Sequence, residues 1–224
     1  MSHAIFFEPP ITSNFLGHQF AEIYKDRVYA PFVEGKDLKT CIDIGANLGM
    51  VSYYFAQHFK EVYSIEPSLE HFELLTKMVE FNKLDNVHPI NKAIFMKSGK
   101  YPLFHPLDES GVEKNKTMYS LHQSVANVQN VKTEEVDCIT LPQLFADYGI
   151  DHVDLMKLDV EGSEVDIICS GSFKEVADKI DMIILEQHTW NGRNPQQLID
   201  GLKDAGYKNI STVPNDANII VATK

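Results

Sequence analysis

The sequence predicts an α/β fold in which helices cover both faces of a mostly parallel sheet, giving three layers. Apolar runs of strand length alternate with segments of helical periodicity through most of the chain. A glycine-containing turn at residues 43–49 joins the first apolar run to a helix. Two strand-like runs separated by a Pro-Asn-Asp turn close the chain and predict a terminal hairpin.

Length and composition fit one folded domain with additions. The chain has 224 residues, of which 44% are apolar, and this is ample for a core. Its 20 Lys and Arg against 32 Asp and Glu give a net charge of -12, which disfavours nucleic acid as a partner. No run reaches the roughly 20 apolar residues of a membrane span. The start lacks a secretory pattern and the three cysteines are far apart, so we expect a cytoplasmic protein. The oligomeric state is left open.

The first half of the chain alternates strands and helices behind a leader. Residues 1–39 are expected to form a helical leader or lid, because apolar side chains from Phe15 to Val28 recur at near-helical spacing after capping residues at 12–14. The main domain then covers 40–224. We expect strands at 40–45, 61–67 and 87–94, and helices at 48–59 and 68–83, the second capped by Ser68. Pro89 places the third strand at a sheet edge, since proline has no N–H to donate.

Residues 95–136 break this rhythm and are interpreted as an insertion of loops and short strands, with a hairpin near 97–100. Alternation then resumes. Helices are expected at 141–148, at 164–177 with an interruption near Gly171, and at 195–205. Strands are expected at 153–160, 182–188, 207–214 and 218–223. In parallel sheets of this kind, ligands bind beyond the carboxyl ends of the strands.

The turn after the first strand reads Asp43-Ile-Gly45-Ala46-Asn47-Leu-Gly49. Its two glycines allow a sharp turn and a close approach to a ligand. The dinucleotide fingerprint is absent because Asn47 stands where a second glycine would make room for a pyrophosphate. Asp43 suits an ammonium group or a water network, and a tight turn without a ligand is the alternative interpretation.

Carboxylates follow the later strands. Glu66, followed by Pro67, lies 17 residues beyond Gly49 and can accept two hydrogen bonds from a ribose diol, or can simply cap a helix. Asp159 and Glu161, at i and i+2, face the same side if the strand stays extended, and such pairs act as bases, ligand anchors or metal ligands. His188, after the fifth strand, is a candidate proton acceptor or a structural histidine.

Together the segments DIGANLG, SIEP, DLMKLDVEGSE and IILEQH resemble the FkbM-type S-adenosylmethionine-dependent methyltransferases. The resemblance covers about residues 40–190, and DVEGSE is its most specific part. It implies a Rossmann-like class I methyltransferase fold with seven strands in the order 3-2-1-4-5-7-6, the seventh antiparallel. It also implies S-adenosylmethionine as cofactor and O-methylation of a hydroxyl on a small molecule such as a sugar or polyketide.

The resemblance also implies roles for individual residues. The methionine part of the cofactor would lie against the first turn, its amino group near Asp43, and its ribose on Glu66 beside Pro67. Asn91 and Ala93 would flank the adenine, and Asp159 would line the methyl end. The first-turn residues are Gly45, Ala46, Asn47 and Gly49.

Removal of the acceptor proton is expected to involve Asp159, Glu161 or His188, and no metal is assigned. A metal route through Asp159, Glu161 and Glu186 stays open. The sequence is also compatible with a protein or lipid acceptor, with a Rossmann enzyme using NAD or a nucleotide sugar, and with a non-catalytic scaffold. We expect residues 1–39 and 95–136 to determine the acceptor.

Overall fold

A computed structural model describes residues 19–108, 110, 119–122, 130–188, 194–214 and 216–224. Within these ranges the chain forms strands and helices that alternate except in the insertion and at the end of the chain. The strands are β1 (Leu38–Ile44), β2 (Phe59–Ile65), β3 (Val87–Ile90), β4 (Ala93–Ile94), β5 (Gly99–Pro106), β6 (Val131–Ile139), β7 (Val153–Leu158), β8 (Ile180–Glu186), β9 (Asn209–Val213) and β10 (Asp216–Thr223).

The helices connect these strands on both faces of the main sheet. They are α1 (Ala30–Val33), α2 (Met50–Phe55), α3 (Leu69–Asn82), α4 (Leu141–Tyr148), α5 (Glu164–Ile168), α6 (Gly171–Lys174) and α7 (Pro195–Asp204), with a π-helical turn at Ala21–Lys25 and a 3₁₀ turn at Ala177–Lys179. Among the described residues, no helix is long and apolar enough to cross a membrane.

The main sheet has seven strands in the order β3-β2-β1-β7-β8-β10-β9. Counted within this sheet alone, the order is 3-2-1-4-5-7-6, and only β10 runs antiparallel to its neighbours β8 and β9. The expected α/β fold is therefore confirmed. Pro89 lies on β3 at the sheet edge, where its missing N–H costs no ladder bond.

The two faces of the central strands bury different clusters. Ile42 and Ile44 of β1 face one cluster, whereas Cys41 faces the other together with residues of the leader. Ile23 and Val33 belong to this second cluster and are almost fully buried. The described part of the leader is thus packed onto the sheet, and residues 1–18, with the cap expected at 12–14, lie outside the description.

Helix α3 begins after Ser68, as expected, but the Ser68 side chain does not cap it. Instead, Glu134 Oε1 on β6 accepts the N–H of Leu69 at 2.9 Å. An acidic group at this end of a helix is favoured by the helix dipole. The α3 terminus therefore depends on a contact 65 residues away in sequence, which no local pattern could indicate.

The insertion contains a second sheet with the order β4-β6-β5. The hairpin expected near residues 97–100 is wrong, because β6 lies between β4 and β5 and pairs with both. The third strand, expected to run to residue 94, ends at Ile90. The chain bends at residues 91–92, so that Ala93 and Ile94 pair with β6 rather than with β2.

Candidate functional site

A cavity of about 590 Å³ opens at the carboxyl ends of the parallel strands. Three parts of the chain outside the central strands enclose it: the leader, the insertion and the terminal hairpin. The leader contributes Gln19, Ala21, Glu22, Asp26 and Val28, the insertion Leu103, Tyr119 and Leu121, and the hairpin Pro214, Asp216 and Ile219. The size is typical of a small-molecule site.

Gly45 brings the end of β1 against the segment that follows β7. Its φ is +78°, and a Cβ at this position would lie 1.7 Å from the backbone oxygen of Asp159. Only glycine fits, because the conflicting atom belongs to the backbone and cannot rotate away. The first turn and Asp159 are therefore held in direct contact.

A buried charge network lies beneath this turn. Lys157 Nζ donates to the Gly45 carbonyl at 3.0 Å and lies 3.4 Å from Asp43 Oδ1 and 3.3 Å from Asp159 Oδ2. Ser52 Oγ donates to Asp43 Oδ2 at 2.6 Å. Burial lowers the pKa of Lys157, but Asp159 and Asp43 outweigh it, so the pKa is raised and the amine stays charged. Asp43 therefore supports the turn from below.

Glu66 closes the turn from the next strand. Its Oε2 accepts the N–H of Asn47 at 2.8 Å, and its Oε1 accepts the N–H of Ser68 at 2.9 Å. Burial raises the pKa of Glu66 to about 7, against the lowering effect of these two hydrogen bonds and of Lys157. Asn47 has a left-handed backbone with φ of +51°, which turns its N–H toward this carboxylate.

The expected site residues divide into two groups. Those that line the cavity are Gly45, Asn47, Glu66, Pro67, Ala93, Asp159 and Glu161. The others lie behind the wall. Ala46 and Gly49 pack against α3, where a Gly49 Cβ would come within 2.6 Å of Leu75 Cδ1. Asn91 Nδ2 donates to the carbonyls of Glu66 and Pro67, both at 3.0 Å, and so fixes the end of β2.

Asp159, Glu161 and His188 come together at one end of the cavity. His188 Nε2 lies 4.0 Å from Asp159 Oδ1 and 3.5 Å from Glu161 Oε2, while Glu186 Oε1 is 3.8 Å away. His188 Nδ1 lies 2.8 Å from Glu164 Oε1. The ring is buried, whereas the carboxylates of Asp159, Glu161 and Glu186 line the cavity.

These groups shift one another's protonation. Burial lowers the pKa of His188, but the hydrogen bond and charge of Glu164 and the charges of Glu161 and Asp159 raise it to about 9. Burial, and then Asp159, raise the pKa of Glu161 to about 8 and that of Glu186 to about 7. A positive charge is therefore stabilised at this point of the cavity.

Glu161 reaches the cluster by a different route from the one expected. The strand ends at Leu158, and Glu161 has a left-handed backbone with φ of +53°, so an extended strand does not align it with Asp159. Its carbonyl accepts a hydrogen bond from Ser120 Oγ at 2.6 Å. A contact from the insertion thus helps to fix a turn that few non-glycine residues adopt.

Sequence reasoning missed Lys157 and Glu164 as site residues. A lysine within the apolar run of β7 was the available signal, because a buried lysine needs a charged partner. It also missed an aromatic stack on the insertion side, in which Tyr119 lies 3.9 Å from His105 and 4.6 Å from His71 between ring centroids. Tyr119 and His71 line the cavity, and only the fold brings them together.

A family model and three known proteins that this chain resembles are all named as methyltransferases. The model of the methyltransferase FkbM domain matches residues 43–208. "Methyltransferase 1" of Beauveria bassiana is 24% identical over 179 residues, covering 74% of this chain and 70% of its own length. "Methyltransferase sdnD" of Sordaria araneosa is 23% identical over 223 residues, covering 84% and 80%. The solved structure of methyltransferase FkbM from Methylobacillus flagellatus superimposes with a TM-score of 0.58 at 11% identity, covering 92% of this chain and 48% of that one.

Proposed function

The chain belongs to the FkbM methyltransferase family, and from this premise we propose that it O-methylates a hydroxyl group on a small molecule such as a sugar or polyketide. S-adenosylmethionine is the methyl donor. The observation that carries the proposal is the cavity itself, which extends from Gly45 and Glu66, where we place the nucleoside, to the cluster of Asp159, Glu161 and His188. A soluble domain in the cytoplasm is part of the same proposal.

The wall of the cavity fits this cofactor at the nucleoside end. Glu66 offers carboxylate oxygens to the ribose diol, and each has acceptor capacity beyond its one backbone N–H. Pro67, Ala93 and Ile94 supply an apolar strip for the adenine. Asn47 Oδ1 is buried and accepts no hydrogen bond from the described residues, so it has capacity for a donor on a ligand.

The residues at the other end suit a hydroxyl acceptor. When bound, the cofactor supplies a methyl group on a sulfonium that is already electrophilic, so the protein mainly aligns the acceptor and removes its proton. A hydroxyl is a poor nucleophile until its proton is taken. Asp159 and Glu161 line the cavity at this point, and we place proton uptake within the cluster they form with His188.

Enclosure favours a small acceptor. The leader, insertion and hairpin surround the cavity, and their acidic members include Glu22, Asp26 and Asp216. Selection of the acceptor by residues 1–39 and 95–136 belongs to this proposal. A protein or lipid acceptor would have to enter between these elements. Transfer of the methyl group to a protein or lipid is therefore the alternative outcome of the experiment that follows.

The test uses S-adenosylmethionine with an isotopically labelled methyl group and a panel of hydroxylated small molecules, amines, peptides and lipids. We expect label in an ether of a hydroxylated small molecule. Asp159→Asn and His188→Ala should lower turnover by about 10²–10⁴-fold with little change in cofactor affinity. His152→Ala, at an exposed site at the other end of the sheet, is the control and should retain turnover. Label only in peptide or lipid, or unchanged turnover in both variants, would contradict the proposal.

Cofactor affinity should depend on pH through Glu66. Its pKa is raised to about 7, and the ionised form accepts the ribose hydroxyls best, so affinity should rise as pH increases through 7. Between pH 8 and pH 6, we expect the affinity for S-adenosylhomocysteine to fall about tenfold, the change in the ionised fraction of a group with this pKa. Calorimetry on Glu66→Gln should show weaker binding without this slope. An equal slope in the variant would assign the pH dependence to another group.

A further inference from the structure

The cluster at the methyl end of the cavity has the composition of a metal site. Asp159, Glu161 and His188 each present one ligand atom, and these atoms all lie within 4.8 Å of one another. The distances from His188 Nε2 to Asp159 Oδ1 and Glu161 Oε2 are 4.0 and 3.5 Å, longer than a good hydrogen bond. The three side chains are therefore close enough to one another to hold a single metal ion.

Two oxygens at this point have no hydrogen-bond donor among the residues that the structure describes. Asp159 Oδ1 and Glu161 Oε2 are both buried and accept no hydrogen bond from the described residues. Asp159 Oδ2 is already paired with Lys157 at 3.3 Å, so the two oxygens of this carboxylate have separate surroundings. Buried acceptors of this kind are normally satisfied by a donor, a water or an ion.

The residues behind the cluster orient it as they do in known metal sites. Glu164 is 1% exposed, and its Oε1 lies 2.8 Å from His188 Nδ1. The Glu164 carboxylate is itself fixed by the N–H groups of Val160 at 3.2 Å and Gly162 at 3.1 Å. Histidines that bind metals typically donate their other ring N–H to a carboxylate, which fixes the orientation of the ring.

We propose that Asp159, Glu161 and His188 bind one divalent first-row transition metal ion at the end of the cavity, with Mn²⁺ as the expected ion. Two carboxylates favour Mn²⁺ over softer metals, and one imidazole favours a transition metal over Mg²⁺ or Ca²⁺. Glu186, which lines the cavity with Oε1 3.8 Å from His188 Nε2, can supply a further oxygen.

A second group of similar composition provides a comparison. His152, Asp154 and Asp181 also bring ligand atoms within 4.8 Å, but at the amino ends of the strands. Asp154 Oδ2 already accepts the N–H groups of Lys39 and Thr40, both at 2.8 Å. His152 and Asp181 are exposed and pair directly at 3.2 Å. This group therefore serves as a control for adventitious surface binding.

The consequence for the reaction rests on the proposed function. A divalent ion beside the acceptor would lower the pKa of its hydroxyl and favour the alkoxide that accepts the methyl group. Binding of the ion to Asp159, Glu161 and His188 does not depend on what the acceptor is, so it can be measured alone.

The test is Mn²⁺ binding to the full chain after chelator treatment, followed by electron paramagnetic resonance. We expect one site in the wild type, lost in Asp159→Asn and His188→Ala. Affinity should fall about 10–100-fold in Glu164→Gln, which keeps the three ligand side chains and changes the carboxylate that orients the ring. Asp181→Asn should bind as the wild type does. Thermal midpoints identify any variant that fails to fold. If His188→Ala does not fold, loss of Mn²⁺ binding in the single variants Asp159→Asn and Glu161→Gln tests the site.

Unchanged Mn²⁺ affinity in folded Asp159→Asn and Glu161→Gln, or loss of binding in Asp181→Asn, would overturn the proposed site. Activity separates this failure from failure of the proposed function. If ether formation is undiminished by EDTA and no Mn²⁺ binds, the proposed metal site is wrong and the proposed O-methylation stands. If one Mn²⁺ binds and label appears only in products methylated at groups other than hydroxyls, the metal site is supported and the proposed O-methylation is wrong.

Discussion

Gly45→Ala is expected to lower the free energy of unfolding by more than about 4 kcal/mol, in the range that marks a specific structural conflict. The added Cβ would lie 1.7 Å from the Asp159 backbone oxygen and 2.9 Å from its carbonyl carbon. Relief requires β1 and the end of β7 to separate, and these two strands are paired in the centre of the sheet. Cofactor binding should be lost with the turn.

The control for this substitution is Gly35→Ala. Gly35 has a similar φ of +73°, but among the described residues beyond its chain neighbours no heavy atom lies within 4 Å of its added Cβ. It should therefore show only the left-handed strain of a non-glycine residue, about 1–2 kcal/mol. Urea denaturation of both variants measures the difference. Equal losses would mean that backbone strain, and not the contact with Asp159, explains the need for glycine at position 45.

Lys157→Met should be nearly as damaging. Removing this amine leaves the carboxylate of Asp43, which is fully buried, without its positive partner. Breaking one side of a buried ion pair typically costs about 3–5 kcal/mol, because a charge remains in a medium that solvates it poorly. Urea denaturation measures the loss, and adding Asp43→Asn to the variant should recover part of it.

Lys100→Met is a matched control for Lys157→Met. Lys100 also lies near two carboxylates, Glu135 at 3.1 Å and Asp137 at 3.6 Å, but all three side chains are exposed. Exposed pairs of this kind contribute little, so the unfolding midpoint should stay unchanged. A loss in Lys100→Met as large as that in Lys157→Met would show that the number of charged neighbours, and not burial, determines the effect.

The main sheet could be predicted because its signals are local. Apolar runs indicated its strands and Pro89 indicated an edge strand, whereas the strand order was implied by the family resemblance. Boundaries moved by one to a few residues, as at the strand expected at 182–188 and found at Ile180–Glu186. Periodicity finds the centre of an element better than its ends.

The insertion and the details of the site depend on contacts between distant residues. Strand β6 pairs with β4 on one side and with β5 on the other. The weak periodicity of residues 95–136 gave no indication of this pairing. Glu164 looked like an ordinary acidic residue at a helix start, yet it holds His188. Glu161 needed a contact from Ser120, 41 residues earlier, to explain its position. The members of these pairs are 24 and 41 residues apart, so a pattern that spans a single helix or strand cannot contain both.

The Ser120 contact also has a consequence for engineering the acceptor range. Under the proposed function, exchanging the insertion for that of a relative should change the acceptor and keep the residues proposed to bind the cofactor. The hydroxyl of Ser120, however, donates to the Glu161 carbonyl at 2.6 Å, so the exchanged segment also affects the geometry of the proposed methyl-transfer end. A graft that retains a serine at position 120 should therefore preserve turnover better than one matched only in length.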